Sequence, residues 1–237
     1  MLKIVTKPFA TVVLLLLSIS VSSATNRTIT IGMQLEPPNL NPTSGAAAAI
    51  DEIVYANLFE GLTRFTSDGS IAPALAKSWV ISPDDLTYTF NLNKNVTFHD
   101  GTPMTANDVK FSIDRARSKN STNAQKALFK DIESTEIIDP LTVAVKLKVP
   151  NGSFISNMAW GDAIIVSEGS ISKAETYPIG TGPFKFSKWV KGDRVELVRN
   201  NSYWGAQISL SKATFKFISD PTAAFAAVMT GDIDAFP

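Results

Sequence analysis

Alternating apolar and polar positions predict many half-buried strands in this chain. In residues 87–92, two aromatic residues and a leucine occupy one face, while threonine and asparagine occupy the other. That two-residue period is typical of a strand with one side against a core. Similar apolar runs predict strands at residues 28–33, 132–138, 142–147, 163–166, 184–189, 195–199 and 213–218.

Apolar residues spaced three and four apart predict helices elsewhere. Residues 46–58 carry isoleucine and valine at this spacing, and Gly61 is expected to end that helix. A second helix is predicted to begin at Thr105, because Asp108 three positions later completes a variant of the capping box. Its buried face is predicted to consist of Val109, Ser112, Ile113 and Ala116.

The last part of the sequence predicts a helix with clear end signals. Asp220 is expected to cap this helix, Pro221 takes its first position, and Gly231 closes it. Residues 232–236 are then predicted to be a strand that enters a sheet. The buried face of the helix is predicted to consist of Ala224, Phe225, Val228 and Met229.

Residues 76–115 contain a strand, a sharp turn and a capped helix in a fixed order. The turn at residues 99–103, His-Asp-Gly-Thr-Pro, breaks the chain with an Asp-Gly pair and a proline. With Trp79 and Asp84 before it, this passage resembles the signature of the family 5 solute-binding proteins, the extracytoplasmic receptors of peptide-type ABC transporters. Further matching motifs are N-L-N-P at 39–42, L-F-E-G-L at 58–62, P-I-G-T-G-P-F at 178–184 and N-S-Y-W-G at 201–205.

The resemblance implies a fold and a domain organisation. It implies a mixed α/β (α+β) fold, with a lobe like that of type II periplasmic-binding proteins and a small inserted α+β domain. The implied divisions are 25–62 for the first part of lobe I, 63–176 for the inserted domain and 177–237 for the return to lobe I. Family members extend well beyond this length, so the second lobe is expected to be missing here. A fragment, a split gene and a truncated reading frame all stay open.

The resemblance also implies where a ligand binds. In relatives, the segment between the N-L-N-P and L-F-E-G-L motifs lines the ligand cleft. Residue chemistry alone favours a simpler role for Thr43 and Ser44, as caps of the helix that follows. The candidate ligand-binding residues are Thr43, Ser44, Gly45, Ala46 and Ala47.

The sequence offers little catalytic or metal-binding chemistry. It has one histidine, His99, and no cysteine, which excludes a zinc site built from several His and Cys ligands. It also has no G-x-S-x-G elbow and no P-loop motif. We therefore expect no catalytic residue, no metal site and no cofactor, with a secreted hydrolase using His99 as the alternative of another class. The Asp51-Glu52 pair is interpreted as structural, and the tryptophans as core residues.

The amino terminus predicts export. Lys3 and Lys7 precede an apolar stretch at residues 9–21, and three small residues ending at Ala24 provide a cleavage site, so a signal peptide at residues 1–24 is predicted. The apolar stretch is shorter than the roughly 20 residues that span a bilayer. Because a lipoprotein requires a cysteine after its signal peptide, the mature protein is expected to be periplasmic and not a lipoprotein.

These observations predict the periplasmic substrate-binding component of an ABC importer. Such a protein captures a short peptide or similar small solute by hinge closure and delivers it to permease subunits in the inner membrane. Lys plus Arg and Asp plus Glu both total 22, so net charge gives no reason to expect a nucleic-acid partner. A monomer is expected. Receptors of the same family for nickel, haem or oligosaccharide remain alternatives, because relatives bind all three.

Overall fold

A computed structural model describes residues 27–236 of the chain. The predicted signal peptide, residues 1–24, and the predicted cleavage after Ala24 lie outside the described residues. Within the described part, no helix combines the length and the apolar composition that crossing a membrane requires.

The described residues form ten strands, four α-helices and three short 3₁₀ helices. The strands are β1 (Arg27–Met33), β2 (Thr63–Phe65), β3 (Ile71–Pro73), β4 (Ala76–Ile81), β5 (Thr87–Leu92), β6 (Ile132–Asp139), β7 (Thr142–Leu147), β8 (Phe184–Val190), β9 (Arg194–Arg199) and β10 (Leu210–Phe217). The helices are α1 (Ala48–Val54), α2 (Ala106–Arg117), α3 (Phe154–Asn157) and α4 (Pro221–Thr230), and the 3₁₀ helices are Lys126–Phe129, Gly161–Ala163 and Ile171–Lys173.

The first sheet brings together two distant parts of the chain. Its strand order is β1-β10-β9-β8, with β1 parallel to β10 and the other neighbours antiparallel. Because parallel strands end at the same edge of a sheet, the segment after β1 lies beside the start of α4. A hydrogen bond of 2.8 Å from the Ile218 N–H to the Met33 carbonyl joins these two segments.

The second sheet is antiparallel throughout, in the order β4-β5-β7-β6. The predicted alternation in β5 is confirmed, because Tyr88, Phe90 and Leu92 are all buried. The ring of Tyr88 lies 4.6 Å from that of Phe154 in α3, measured between centroids. Helix α2 packs against β6 and β7 and covers the same core.

The predicted start of α2 is confirmed in detail. The Thr105 N–H donates to Asp108 Oδ2 at 2.8 Å, and Thr105 Oγ1 accepts from the Asn107 N–H at 3.3 Å. This capping box satisfies backbone donors that the first turn of a helix leaves unpaired. All four residues of the predicted buried face are buried.

Helix α1 is shorter than the apolar spacing predicts. It runs from Ala48 to Val54 rather than over residues 46–58, because Tyr55 is extended and Ala56 has a left-handed φ of 58°. The Ala56 N–H then donates to the Phe59 carbonyl at 2.9 Å. The apolar side chains that follow this tight turn are still buried. Their spacing in the sequence is therefore the same as that of a longer helix. The N-cap is Ala47, without a side-chain cap, so the expectation that Thr43 and Ser44 cap this helix is wrong.

Helix α4 has the predicted ends but not the predicted buried face. The Asp220 carboxylate accepts from the Thr222 and Ala223 N–H groups at 2.7 and 3.0 Å, and Gly231 closes the helix with φ 78°. Ala224 alone is buried, whereas Phe225 is 59% and Met229 is 71% exposed. Val228 is only partly buried, so two of the four residues of the predicted buried face are largely exposed.

Two segments predicted as strands form single bridges instead. Residues 232–236 contribute one bridge, from Ala235 to Ile31. Residues 163–166 begin at the last residue of the Gly161–Ala163 3₁₀ helix and contribute one bridge, from Ile164 to Gly61. Both segments remain next to a sheet, and their apolar side chains Ile164 and Ile233 are buried.

The buried apolar residues form two clusters, one against each four-stranded sheet. The cluster at the first sheet includes residues of α1 together with Phe184, Val195 and Phe215. It also includes Ile164 and Val166, which lie inside the predicted insertion at residues 63–176. The predicted domain boundaries at 62/63 and 176/177 stay a prediction.

Candidate functional site

Thr43 and Ser44, the first two candidate ligand-binding residues, lie in a hydrogen-bonded turn. Thr43 is buried, and its hydroxyl donates to Asn41 Oδ1 at 2.7 Å. Arg115 of α2 donates from Nη1 to Thr43 Oγ1 at 2.6 Å. The Ser44 N–H donates to the Asn41 carbonyl at 3.1 Å. Both hydrogen-bonding directions of the Thr43 hydroxyl are therefore used within the protein.

Gly45, Ala46 and Ala47, the other three candidates, lie at the surface. Gly45 has φ 127°, a backbone angle that residues with a side chain rarely adopt. All three line a small cavity of about 200 Å³ in front of α1. The opposite wall comes from Ala124, Gln125, Trp160 and Asp162, and Asp51 of α1 completes the lining. We call this the α1 cavity.

Asp51 is the most perturbed acid of the α1 cavity. Its Oδ1 atom is buried and has no hydrogen-bond partner. Burial, followed by the negative charge of Asp162, raises the pKa of Asp51 to about 6. A Cβ atom at position 161 would lie 2.9 Å from Asp51 Cγ, so Gly161 leaves the space that the carboxylate occupies. The interpretation of Asp51-Glu52 as a structural pair stays a prediction; the charge that acts on Asp51 is that of Asp162.

Asp162 reaches the same cavity from the Gly161–Ala163 3₁₀ helix. It is 7% exposed, and burial raises the pKa of its carboxyl, opposed in part by the backbone N–H of Gln125. Its own carbonyl accepts from Asn123 Nδ2 at 2.8 Å, which holds the 3₁₀ helix against the loop before Lys126–Phe129. Two carboxylates from distant parts of the chain are thus placed next to each other.

Trp160 borders the α1 cavity and is 47% exposed, so the expectation that all tryptophans lie in the core is wrong for this one. Its ring meets that of Phe65 edge to face, with centroids 6.4 Å apart. On its other side lies a second opening of about 260 Å³, lined by Asp51, Tyr55 and Phe65 among others. Asp51 and Trp160 therefore face two adjoining openings.

A larger cavity of about 480 Å³ lies on the other side of the α1 N-terminus. It is lined by residues 32–36 after β1, by the first residues of α1 and by the start of α4 at Pro221 and Ala224. Ala47 and Ala48 line this cavity as well as the α1 cavity. The beginning of α1 is thus a wall between two concave surfaces.

His99 has no free ring nitrogen. Its Nδ1 atom accepts from the Gly180 N–H at 3.2 Å, which places the ring proton on Nε2, and Nε2 donates to the Gly182 carbonyl at 3.1 Å. Burial lowers the pKa of His99 to about 4. A general base must reach the proton that it abstracts, and this ring is occupied on both sides by the backbone.

Glu60 holds a second buried network. Its carboxylate accepts from the Tyr203 hydroxyl at 2.7 Å, from Trp204 Nε1 at 2.9 Å and from Thr181 Oγ1 at 2.8 Å. Burial raises the pKa of Glu60, and the three donors oppose that shift. The donors come from the P-I-G-T-G-P-F and N-S-Y-W-G motifs, and the acceptor from L-F-E-G-L.

Two glycines allow these motifs to meet. A Cβ at Gly180 would lie 1.9 Å from the Leu58 carbonyl oxygen, and one at Gly182 would lie 2.4 Å from that of Asn57. The Gly182 N–H donates to the Leu58 carbonyl at 2.9 Å. The most recognisable sequence motifs therefore meet in a close-packed structural joint.

Metal-binding side chains are not grouped in the described part of the chain. Among residues 27–236, no three His, Cys, Asp or Glu side chains lie close enough together to hold a metal ion. The carboxylates of Asp51 and Asp162 form a pair without a third member. The α1 cavity can offer negative charge, an aromatic face and small residues that leave room for a ligand.

The profile of the bacterial extracellular solute-binding proteins, family 5 Middle, matches residues 70–237. This chain belongs to family 5 of these solute-binding proteins. The glutathione-binding protein GsiB of Pectobacterium atrosepticum is 33% identical over 195 residues, which are 80% of this chain and 38% of GsiB.

Solved structures of the family share the fold. NikZ of Campylobacter jejuni, in complex with Ni(L-His), matches this chain with a TM-score of 0.79 at 33% identity; the matched region is 87% of this chain and 42% of NikZ. DppA of Helicobacter pylori, in complex with the peptide STSA, matches with a TM-score of 0.78 at 28% identity; the matched region is 87% of this chain and 46% of DppA. The predicted fold class is confirmed as a mixed α/β lobe of the type II periplasmic-binding-protein kind. The chain spans less than half the length of each of these relatives.

Sequence reasoning found part of this site and missed the rest. The family resemblance singled out residues 43–47, and the structure places Gly45, Ala46 and Ala47 at the α1 cavity. Asp51, Trp160 and Asp162 were missed as a group, because their proximity depends on contacts between residues more than 100 positions apart. The available signal was weak: an acidic residue in the first turn of a helix that is apolar apart from Asp51 and Glu52.

Proposed function

We propose that this chain forms the first part of the substrate-binding component of an ABC importer that captures short peptides or similar small solutes. The observation that carries the proposal is the position of Ala47, which lines both the α1 cavity and the larger cavity beside it. A short extended ligand lying across the start of α1 can contact both concave surfaces. The peptide complex of DppA and the glutathione-binding protein GsiB, both similar to this chain, support this solute class.

The proposed mechanism is capture, not bond making. The surface at residues 45–47 and 32–36 forms one side of a cleft, and a second lobe closes over the solute by a hinge motion. Small residues at positions 45–48 allow the backbone of an extended ligand to approach closely. Polar groups at the rim then fix its orientation, as is typical of small-molecule sites.

We also propose that the whole protein is exported through a cleavable signal peptide, acts in the periplasm as a monomer without lipid attachment, and delivers its solute to permease subunits in the inner membrane. Energy for transport comes from a separate ATPase subunit. His99 has a structural role in this account, because both ring nitrogens bind the backbone.

A titration followed by ¹H–¹⁵N NMR tests the proposed solute class. The method detects millimolar as well as tighter affinities and locates the perturbed residues. We expect trialanine to shift the amide signals of residues 45–48 and 32–36, and the nickel–histidine chelate to shift neither group. Saturable shifts with the chelate but not with trialanine would favour a receptor for a metal chelate. No shift at these residues with any peptide up to millimolar concentrations would contradict the proposal.

A further inference from the structure

Within residues 27–236, neither the half-buried Asp51 nor the buried Asp162 has the cationic partner that buried acids normally have. The six ion pairs within residues 27–236 all involve other residues. The Oδ1 atom of Asp51 is buried without a hydrogen-bond partner. Such an atom costs free energy unless a donor reaches it. A positively charged hydrogen-bond donor in the α1 cavity would therefore be favourable.

The side chain next to this pair is suited to the same kind of group. Trp160 is 47% exposed beside two carboxylates. The face of an indole ring attracts cations, and more so than the rings of tyrosine or phenylalanine. The ring is held by its edge-to-face contact with Phe65. An aromatic face and two acids thus border the same opening.

We propose that Asp51, Asp162 and Trp160 form a subsite for a cationic nitrogen group of the bound solute, an ammonium or a guanidinium. The proposal rests on the proposed function, because it specifies the class of solute that the cleft accepts. A cation at this position donates hydrogen bonds to both carboxylates and lies near the indole ring. The small residues at positions 45–48 leave the path to it open.

Two solute features supply this chemistry. One is the terminal ammonium of a peptide, and the other is a lysine or arginine side chain. The openings of about 200 and 260 Å³ on the two sides of Asp51 each have room for a short alkyl amine. The charge of Asp162 acts on Asp51, and the charge of Asp51 acts on the hydroxyl of Tyr55, where the guanidinium of Arg64 opposes it. Two carboxylates thus give the subsite negative charge at neutral pH.

The experiment is a ¹H–¹⁵N NMR titration of the chain at pH 7.5 and low ionic strength. The probes are trialanine, N-acetyl-trialanine, Ala-Lys-Ala, Ala-Gln-Ala and agmatine. Each is added to the unmodified protein and to the variants Asp51→Asn, Asp162→Asn and the double variant. Asp85→Asn is the matched control: it removes the same charge from an exposed turn, and Asn tolerates the left-handed φ of 57° there.

We expect agmatine to shift the Gly161 amide and the Trp160 indole signals, and the double variant to weaken this binding at least tenfold. The control variant should bind as the unmodified protein does. A tenfold loss on acetylation of trialanine assigns the subsite to the peptide terminus. A tenfold preference for Ala-Lys-Ala over Ala-Gln-Ala assigns it to a side chain.

The remaining outcomes separate this proposal from the proposed function. Peptide binding of equal strength in all variants would overturn the subsite and leave peptide capture intact. Agmatine binding that depends on both acids, without any peptide binding, would support the subsite and overturn peptide capture. Binding of no probe would overturn both. The Asp→Asn changes keep the shape of the side chain, so the variants should remain folded. The dispersion of the signals in each variant's spectrum shows directly whether it is folded.

Discussion

The Oε1 atom of Glu60 accepts a hydrogen bond of 2.7 Å from the hydroxyl of Tyr203, 143 positions later in the chain. This bond joins the turn after α1 to the segment after β9. Trp204 and Thr181 donate to the other carboxylate oxygen. The network thus ties the segment that follows α1 to two distant parts of the chain.

Glu60→Gln should destabilise the protein. A glutamine amide has one acceptor oxygen, so its NH₂ group would face a donor that Glu60 now satisfies. Leaving a buried donor unpaired costs about 1–3 kcal/mol. Chemical denaturation monitored by circular dichroism measures the free energy of unfolding. Glu168→Gln, at an exposed position, is the control and should change it by less than about 0.5 kcal/mol. Equal effects of the two variants would show that the network contributes little.

Gly180→Ala should be more damaging than Glu60→Gln. Its Cβ would lie 1.9 Å from the Leu58 carbonyl oxygen, so the backbone must move. We expect a loss of about 3 kcal/mol or more, at the upper end of overpacking effects. Gly152→Ala is the matched control, since nothing lies within 4 Å of its added Cβ and its φ is not left-handed. A thermal melt that is the same for both variants would refute the close approach.

Asp51 should make the protein less stable as the pH rises. Its pKa is raised from 3.8 to about 6 in the folded state, so between these values the folded protein binds more protons than the unfolded one. The stabilisation is therefore full below pH 4 and is lost as the pH rises through 6. Because Asp51 is partly exposed, solvent screening reduces the effect to about 1 kcal/mol.

The variant Asp51→Asn isolates this effect. It should melt at a higher temperature than the unmodified protein at pH 7.5, and the difference should disappear near pH 4. Asp85→Asn should follow the unmodified protein at both pH values. A variant that is less stable than the unmodified protein at pH 7.5 would mean that the Asp51 carboxylate has a stabilising partner.

His99 should titrate far below the usual range. Burial lowers its pKa from 6.5 to about 4, with the Lys185 ammonium acting in the same direction and Asp100 opposing it. In this window the unfolded chain binds more protons, so stability falls as the pH drops from 6.5 to 4, by about 3 kcal/mol at 1.4 kcal/mol per unit. His99 is the only histidine, so its pKa can be measured from the one set of imidazole ring signals in an NMR pH titration. A midpoint between 6 and 7 would show that its ring is solvated.

The hydrolase alternative has its own test. In the structure both ring nitrogens of His99 bind the backbone, so no substrate proton can reach them without disruption of the joint. Any peptidase or esterase activity in a purified sample should be the same for the unmodified protein and for His99→Ala. Loss of a measurable activity in a variant that remains folded would contradict the structural role.

The sequence allowed the prediction of those parts of the fold that depend on local signals. The capping box at Thr105 and the cap of α4 at Asp220 each require contacts within a few residues, and both were predicted correctly. The end of α1 was not, because it depends on the left-handed φ of Ala56, which the residue type does not favour. Local pattern also misassigned the face of α4, since burial depends on what packs against a helix.

The candidate site was predictable only in part for the same reason. Residues 45–47 follow from their place between two family motifs. The proximity of Asp51 to Asp162 is created by the packing of α1 against the Gly161–Ala163 3₁₀ helix, and no periodicity along the chain encodes it. His99, in contrast, was a candidate because it is the only histidine in the sequence. Its ring bonds the backbone of Gly180 and Gly182, so it is part of the structural joint.

A crystal structure of the protein with Ala-Lys-Ala tests the central claim most directly. We expect density for the peptide across the start of α1, in contact with residues 45–48, with an ammonium group within hydrogen-bonding distance of Asp51 and Asp162. Peptide bound elsewhere, for example in the small cavity between His99, Tyr177 and Lys185, with the α1 cavity empty would contradict it.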